Sequence, residues 1–315
     1  MMKRLDVTVV GEIFADHIFT GFPQWPQPGE EVYASDYVRE LGGGVAITAC
    51  ALARLGRKAA VVAVLGKGDT WSRRRLETFG VVTDGLMYSE TRDTAVTVSV
   101  STREDRSFFT WAGANVELPA ALTRSEVREI LLASRHVHFA MRLDRTPASA
   151  LFPVLREGGC TLSIDPGFHP EWSRRAENQQ TFRECTYFFP NEKEGQLMSD
   201  SDQPEQILAR LQQAGMHGTV LKMGRNGAIA GAAGQVLHAS PPEMPVVDTT
   251  GAGDAFDAGF LDSILDDPSL LRALRRGCAC GALSTRAAGA LAALPDREEM
   301  EELYEHIQIE VSNDE

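Results

Sequence analysis

The chain is 315 residues long, 43% hydrophobic and 24% charged, with a formal net charge of −13; this is an ordinary globular composition at a length that suits one large α/β domain. The acidic balance argues against a nucleic-acid partner, which would need a basic patch to displace counterions, and no apolar run approaches the roughly 20 residues that cross a bilayer. The opening residues lack the apolar core and cleavage site of a secretory leader, and the scattered Cys50, Cys160, Cys185, Cys278 and Cys280 have no zinc spacing, so a reducing, cytoplasmic setting is expected.

In chain order, residues 5–11 form an apolar strand closed by Gly11, and residues 17–30, rich in Pro, Gly and aromatics, read as a loop. Residues 31–40 suit a strand with one exposed face. A helix follows over 44–55 with Gly56 as its stop, then a buried strand over Ala59–Leu65 and a helix over 69–79 stopped by Gly80. Residues 94–101 alternate, and 107–111 follow a polar turn at 103–106, which is a hairpin signal. Strands at 136–140, 161–165, 186–189 and 219–222 then alternate with helices near 147–157, 172–183 and 203–214. Two short strands lie around 227–238, and 252–309 reads as mainly helical.

Repeated strand–helix units imply a parallel sheet covered on both faces. The exposed strands at 31–40 and 94–111 do not fit that sandwich and are expected to form a small separate sheet. The expected architecture is one α/β domain over 1–315 with a β-sheet lid emitted near 17–41 and 94–112.

The most informative segment is Pro245-Val-Val-Asp248-Thr249-Thr250-Gly251-Ala252-Gly253-Asp254-Ala255-Phe256-Asp257-Ala258-Gly259-Phe260. A short apolar strand runs into a Thr/Gly turn that opens a helix of small residues. Gly251 and Gly253 let the backbone approach a ligand with its N–H groups outward, and with the helix N-terminus they form a site for phosphate. Asp254 in the first turn would be repelled by that phosphate unless it faces a hydroxyl that must lose its proton while attacking it. Phosphoryl transfer uses such a carboxylate. Taken alone, Thr-Gly-x-Gly-Asp also fits a plain helix cap in which Asp254 complements the dipole.

The run resembles the second signature of the PfkB (ribokinase-like) carbohydrate kinases, D-T-x-G-A-G-D-x-F-x-x-G. The resemblance implies a three-layer ribokinase-like sandwich with a β-sheet lid. It also implies an ATP-dependent transfer of phosphate to a sugar-like hydroxyl, with Asp254 as base and Gly251, Ala252 and Gly253 as anion hole. Matches elsewhere cover nearly the whole chain. Gly11-Glu-Ile-Phe-Ala-Asp16 is similar to the first strand and its sugar-contacting aspartate. Gly42-Gly43-Gly44-Val-Ala-Ile47 through Leu55-Gly56 looks like the first signature, with Gly42 and Gly43 against the substrate. Ile47 stands where ribokinases carry a substrate-binding asparagine; unpaired buried sugar hydroxyls would each cost about 1–3 kcal/mol, which argues against ribose itself.

Arg106 to Asn115 resembles the lid strand and G-A-N turn, with Phe108, Phe109 and Trp111 as lid, dimer or core contacts and Arg106 as a contact to an anionic group or a solvated arginine. Asp165-Pro-Gly167-Phe-His169 through Trp172 is similar to D-x-N-x-R-x-x-x-W, with Gly167 and His169 in place of Asn and Arg, which weakens a ketodeoxygluconate-kinase reading. Asn191-Glu-Lys-Glu194 matches N-x-x-E, so Glu194 would organise Mg²⁺ through water while Asn191 contacts phosphate; an acidic helix start explains it as well. Lys222-Met-Gly224-Arg-Asn-Gly227 resembles the nucleotide-bordering T-x-G-x-x-G, which implies nucleotide contacts from Lys222, Gly224 and Gly227, with Lys222 in place of threonine and able to reach a phosphate. Gly289 opens a stretch like the closing signature, whose carbonyls in potassium-activated members join Asp248 and the backbone near Thr250 around K⁺; Ala293 replaces the serine that often assists.

Rival signatures are missing: the sequence has no G-x-x-x-x-G-K-[ST], no G-x-G-x-x-G after its first strand and no G-x-S-x-G. Within the resemblance, nucleoside, sugar-acid and phosphosugar kinases are alternatives, as is a non-catalytic sugar- or nucleotide-binding regulator. A homodimer through the lid is implied by the resemblance alone.

Overall fold

A computed structural model describes residues 3–101, 106–232 and 234–313. Its strands, in chain order, are β1 (Leu5–Gly11), β2 (Phe14–Thr20), β3 (Asp36–Gly42), β4 (Ala59–Leu65), β5 (Val82–Tyr88), β6 (Val96–Ser101), β7 (Arg106–Trp111) and β8 (Ser134–Ala140). They continue with β9 (Thr161–Ile164), β10 (Tyr187–Phe188), β11 (Val220–Lys222), β12 (Ala228–Ala232), β13 (Gln235–Ser240) and β14 (Gln308–Asn313). The helices are α1 (Gly44–Arg54), α2 (Thr70–Thr78), α3 (Leu118–Ala121), α4 (Ser125–Leu132), α5 (Arg145–Glu157) and α6 (Pro170–Ser173). After them come α7 (Ala176–Arg183), α8 (Glu192–Ser199), α9 (Pro204–Gln213), α10 (Ala252–Asp266), α11 (Leu270–Ser284) and α12 (Arg297–Tyr304).

The central sheet runs β10-β9-β8-β1-β4-β5, and every pairing in it is parallel. Alternation along its strands sends side chains to two separate cores. Val7, Val9, Val61 and Ala63 pack with α1, α10 and α11 on one face, while Val10, Val62, Val64 and Phe139 pack with α4, α5 and α9 on the other. Near-continuous apolar strands are what a sheet buried on both faces demands. Isolated parallel bridges, Phe188↔Thr219 and Asn191↔Lys222, carry the sheet on toward the antiparallel β11-β12-β13-β14. The third sheet, β3-β2-β6-β7, is the lid: β2 pairs antiparallel with β3 and parallel with β6.

Several sequence expectations need correction. The loop over 17–30 gives way at its start to β2, whose residues beyond the buried Ala15 are half-buried and so show no clear alternation. The strand expected over 31–40 begins only at Asp36. The helix expected near 172–183 is two, with Pro170 starting the shorter one. β5 was not anticipated, and the helical run ends in β14, which pairs antiparallel with β13. The turn at 103–106 lies outside the described residues, apart from the Arg106 backbone that opens β7. Among the described residues, no helix is long and apolar enough to cross a membrane.

Candidate active site

α10 starts at Ala252 because Gly251, its N-cap, adopts the left-handed φ of 76°. A side chain there would be strained, and would also collide: a Cβ on Gly251 would lie 2.9 Å from the Ala290 Cβ and 3.0 Å from Ile47 Cδ1. Ile47 is thus buried beneath the turn, filling apolar space rather than offering a hydrogen bond. The turn is braced from behind. Asp248 Oδ1 accepts from the Thr250 N–H (2.9 Å) and hydroxyl (2.7 Å), and its Oδ2 accepts from the Gly289 N–H at 3.0 Å. The residues singled out for potassium are therefore joined by hydrogen bonds.

Asp254 sits in the first turn of α10, where helix N–H groups favour negative charge. The Thr48 hydroxyl donates to its carbonyl at 3.2 Å, tying α10 to α1. Its Oδ1 rests over Gly44, where a Cβ would approach to 2.6 Å. Two residues earlier, a Cβ on Gly42 would lie 2.0 Å from Asp16 Oδ2. Gly43, at φ 91°, is held against the Glu12 carbonyl. The glycine run between β3 and α1 is therefore a floor with the Asp16 carboxylate at one end and the Asp254 carboxylate at the other.

Burial, then the charge of Asp165, raises the Asp254 carboxyl to about 7, against the pull of Lys222. Asp16 is also raised to about 7, by burial and by the cross-strand Glu40. Glu40 is itself held by Arg75 of α2, with contacts of 2.8 and 2.5 Å.

Asn191 and Glu194 form a capping box on α8: the Asn191 N–H donates to Glu194 Oε2 at 2.9 Å and the Glu194 N–H to Asn191 Oδ1 at 3.0 Å. Glu194 is 2% exposed, and burial with the nearby Asp165 charge raises its carboxyl to about 7. Lys222 ends β11. Its ammonium donates to Asp165 Oδ2 at 2.6 Å and to Asp257 Oδ1 at 3.2 Å. Burial alone would push this lysine down, but the Asp165, Asp257 and Glu194 charges outweigh it and raise it above its ordinary value.

A single cleft of about 950 Å³ is lined by Asp254, Gly251, Ala252 and Gly253 and also by Asn191, Glu194, Lys222, Gly224 and Gly227. Met244, Val246 and Phe256 add apolar lining to the same cleft. Asp16, Gly42 and Gly43 do not line this cleft but adjoin it through Gly44. His169 stands apart, in a second cleft of about 620 Å³ with Glu12, Asn115, Arg142 and Arg175, which shares Phe168 with the first. Arg142 Nη1 lies 3.5 Å from His169 Nδ1, and burial together with the Arg142 charge lowers the imidazole. The Arg106 side chain lies outside the described residues.

Sequence reasoning gave no role to Asp165 or Asp257. The signal was present: Asp257 follows Asp254 by three residues, so a helix places both carboxylates on one face. A lysine in place of a strand-end threonine is the matching cation.

Among the described residues, no group of three or more His, Cys, Asp or Glu side chains is placed to hold a metal ion. A hard cation in this cleft would rest mainly on phosphate oxygens and water, as Mg²⁺ does, with the buried Glu194 carboxylate as an oxygen donor of the right chemistry.

The sequence profile of the pfkB family carbohydrate kinases matches residues 4–297. A ribokinase from Haemophilus influenzae is 25% identical, over 96% of this chain and 99% of its own. An ATP-dependent ribose-1-phosphate kinase from Halopiger xanaduensis is 31% identical, over 81% of this chain and 84% of its own. The solved structure of Arabidopsis thaliana ribokinase, complexed with ribose and ATP, superposes with a TM-score of 0.84 at 22% identity, covering 96% of this chain and 99% of that one.

Proposed function

The chain belongs to the pfkB family of carbohydrate kinases, and from that premise we propose that Asp254 is the base of an ATP-dependent phosphoryl transfer to a hydroxyl of a sugar or sugar-like acceptor. The observation that carries the role of Asp254 is the single cleft in which its carboxylate, the Gly251–Gly253 turn and the Asn191–Glu194 box converge.

In this reading Asp16, Gly42 and Gly43 hold the acceptor over the glycine floor. Asp254 accepts the hydroxyl proton as the acceptor oxygen forms its bond to the γ-phosphorus and the bond to the β-phosphate oxygen breaks. The backbone of Gly251, Ala252 and Gly253 receives the charge on the migrating phosphoryl group, aimed there before reaction and so at no reorganisation cost. Asn191, Gly224 and Gly227 border the nucleotide. Bound Mg²⁺ would neutralise charge between the β- and γ-phosphates, with Glu194 holding it through water.

Ile47 leaves no side-chain hydrogen bond at its position, which favours an acceptor with an apolar group, or no hydroxyl, there. Nucleoside, sugar-acid and phosphosugar acceptors remain within the same chemistry. The K⁺ reading rests on the hydrogen-bonded Asp248, Thr250 and Gly289 loops; a rate that is higher in KCl than in NaCl supports it, and equal rates oppose it. One kinase domain over 1–315 with its lid is the organisation we adopt. A homodimer through that lid is supported by Tyr37, Val38, Phe108, Phe109 and Trp111, each about half exposed. The buried free thiols of Cys50, Cys160, Cys278 and Cys280 support a cytoplasmic location.

The experiment is ADP release from Mg·ATP against a panel of sugars, sugar acids, phosphosugars and nucleosides. Acceptor-dependent turnover on at least one class is expected. Tight ligand binding with no turnover on any of them would instead mark a non-catalytic binding protein.

A further inference from the structure

Lys222 is a buried ammonium among carboxylates, and its surroundings go beyond a nucleotide contact. Its charge acts on Asp165, Glu194, Asp254 and Asp257, four carboxyl groups at the cleft. The ammonium has three N–H donors. Asp165 takes one at 2.6 Å, and Asp257 takes another at 3.2 and 3.5 Å to its two oxygens. The third has no acceptor among the described residues. Nζ lies 3.3 Å from where a Cβ on Gly253 would stand, so the free donor is at the anion-hole turn, inside the same cleft.

The group is fixed from several sides. The Lys222 N–H donates to the Pro190 carbonyl at 2.9 Å and its backbone bridges Asn191, which locks the lysine's base beside the capping box. Asp165 follows β9, and its Oδ1 is held by the Gly167 N–H at 3.1 Å. Asp257 is fully buried on α10, one turn beyond Asp254. Behind it stands His138, whose Nε2 lies 3.8 Å from Asp257 Oδ2 and has no hydrogen-bond partner. The other ring nitrogen of His138 bonds Ser163 Oγ at 2.7 Å; the same hydroxyl meets His136 Nε2 at 2.7 Å. Burial holds both imidazoles neutral, at about 3, so this chain of residues supplies no second cation.

We infer that Lys222 is a catalytic residue whose clamped ammonium faces the migrating phosphoryl group, and that Asp257 is a positioning residue acting through it. This rests on the phosphotransfer reading above. A buried lysine with acidic partners is expensive to desolvate, and an apolar replacement is often as stable; a cation aimed at a site of developing charge accounts for keeping one here. The ammonium stays protonated throughout, so the only proton that moves is the one Asp254 receives.

The rival explanation is that Lys222 only neutralises Asp165 and Asp257. The double variant Lys222→Met/Asp257→Asn separates the two, because it removes the cation together with one of its two hydrogen-bond acceptors. On any acceptor the wild type turns over, it is expected to melt within a few degrees of wild type and keep its KM for Mg·ATP within about threefold. Its kcat should fall at least 100-fold, the scale of a lost transition-state charge contact. Asp257→Asn alone should lower kcat about tenfold with both KM values held. Recovery of kcat in the double variant to within threefold of wild type would overturn the inference.

Binding of Mg·ADP with and without aluminium fluoride gives a readout that needs no acceptor. Aluminium fluoride should tighten Mg·ADP on the wild type, and Lys222→Met/Asp257→Asn should lose that gain. If the double variant does not fold, Lys222→Thr, which carries the residue of the related strand-end motif and removes the cation, gives the same comparison. An undiminished gain overturns the inference. If the wild type turns over no acceptor while the gain still depends on Lys222, the acceptor reading fails and the cation assignment stands.

Discussion

Gly44→Ala perturbs the proposed base without changing its chemistry. A Cβ at this position would lie 2.6 Å from Asp254 Oδ1 and 3.1 Å from the Ala140 Cβ. An ordinary carbon–oxygen contact is close to the usual carbon–carbon optimum of about 3.5 Å, so the carboxylate has to withdraw by a sizeable fraction of an ångström. A misplacement of about 1 Å can cost about 100-fold in rate, and a fall in kcat of about 10- to 100-fold is expected. Gly44 has no positive φ and opens α1. Alanine there gains at most about 1 kcal/mol of helix propensity over glycine, which offsets the tight contact with Ala140. The melting temperature should therefore stay within a few degrees of wild type. The assay is coupled ADP release beside a thermal melt. Full activity would refute the placement of Asp254 over Gly44, and a collapsed melt would show that the loss is one of folding.

Because burial raises Asp254 to about 7 and a base must be ionised, kcat/KM is expected to be flat above that pH and to fall about tenfold per unit below it. Asp165, Asp257, Glu194, Lys222 and His138 all face the same region, and a limb near the ordinary carboxylate value of about 4 would contradict the burial argument. Asp16→Asn should raise the acceptor KM at least tenfold and leave that of Mg·ATP unchanged, a charged hydrogen bond being worth about 1.5–3 kcal/mol; parallel rises in both would count against it. Outside the cleft lining, Asp262 is fully buried and meets Arg57 at 2.6 Å, Arg276 at 2.7 Å and Arg297 at 2.6 Å. Asp262→Ala should cost about 3–5 kcal/mol in denaturant titration, with kcat per folded molecule unchanged.

The elements legible in the sequence are those whose side chains have one clear destination. β4 is apolar throughout and β1 nearly so because both of their faces are buried, and both have the expected bounds. The lid was legible as an excursion but not in its bounds: beyond the buried Ala15, β2 is half-exposed, so its pattern resembles a loop. The glycine turn before α10 was visible because only glycine tolerates its left-handed cap and the contact with Ile47. Asp257 and Asp165 were not. Their partner Lys222 lies 35 and 57 residues away in sequence, and only the folded sheet edge brings the three together. Ile47 shows the same limit, since the sequence gives its apolar character but not that it packs beneath Gly251.

The central claim is that Asp254 removes the proton as phosphate is transferred. Acceptor-dependent ADP release by Asp254→Asn at saturating Mg·ATP tests it most directly. Loss of a general base is expected to lower that rate by about 100- to 10,000-fold while the variant still binds Mg·ATP; a rate within tenfold of wild type would contradict the account.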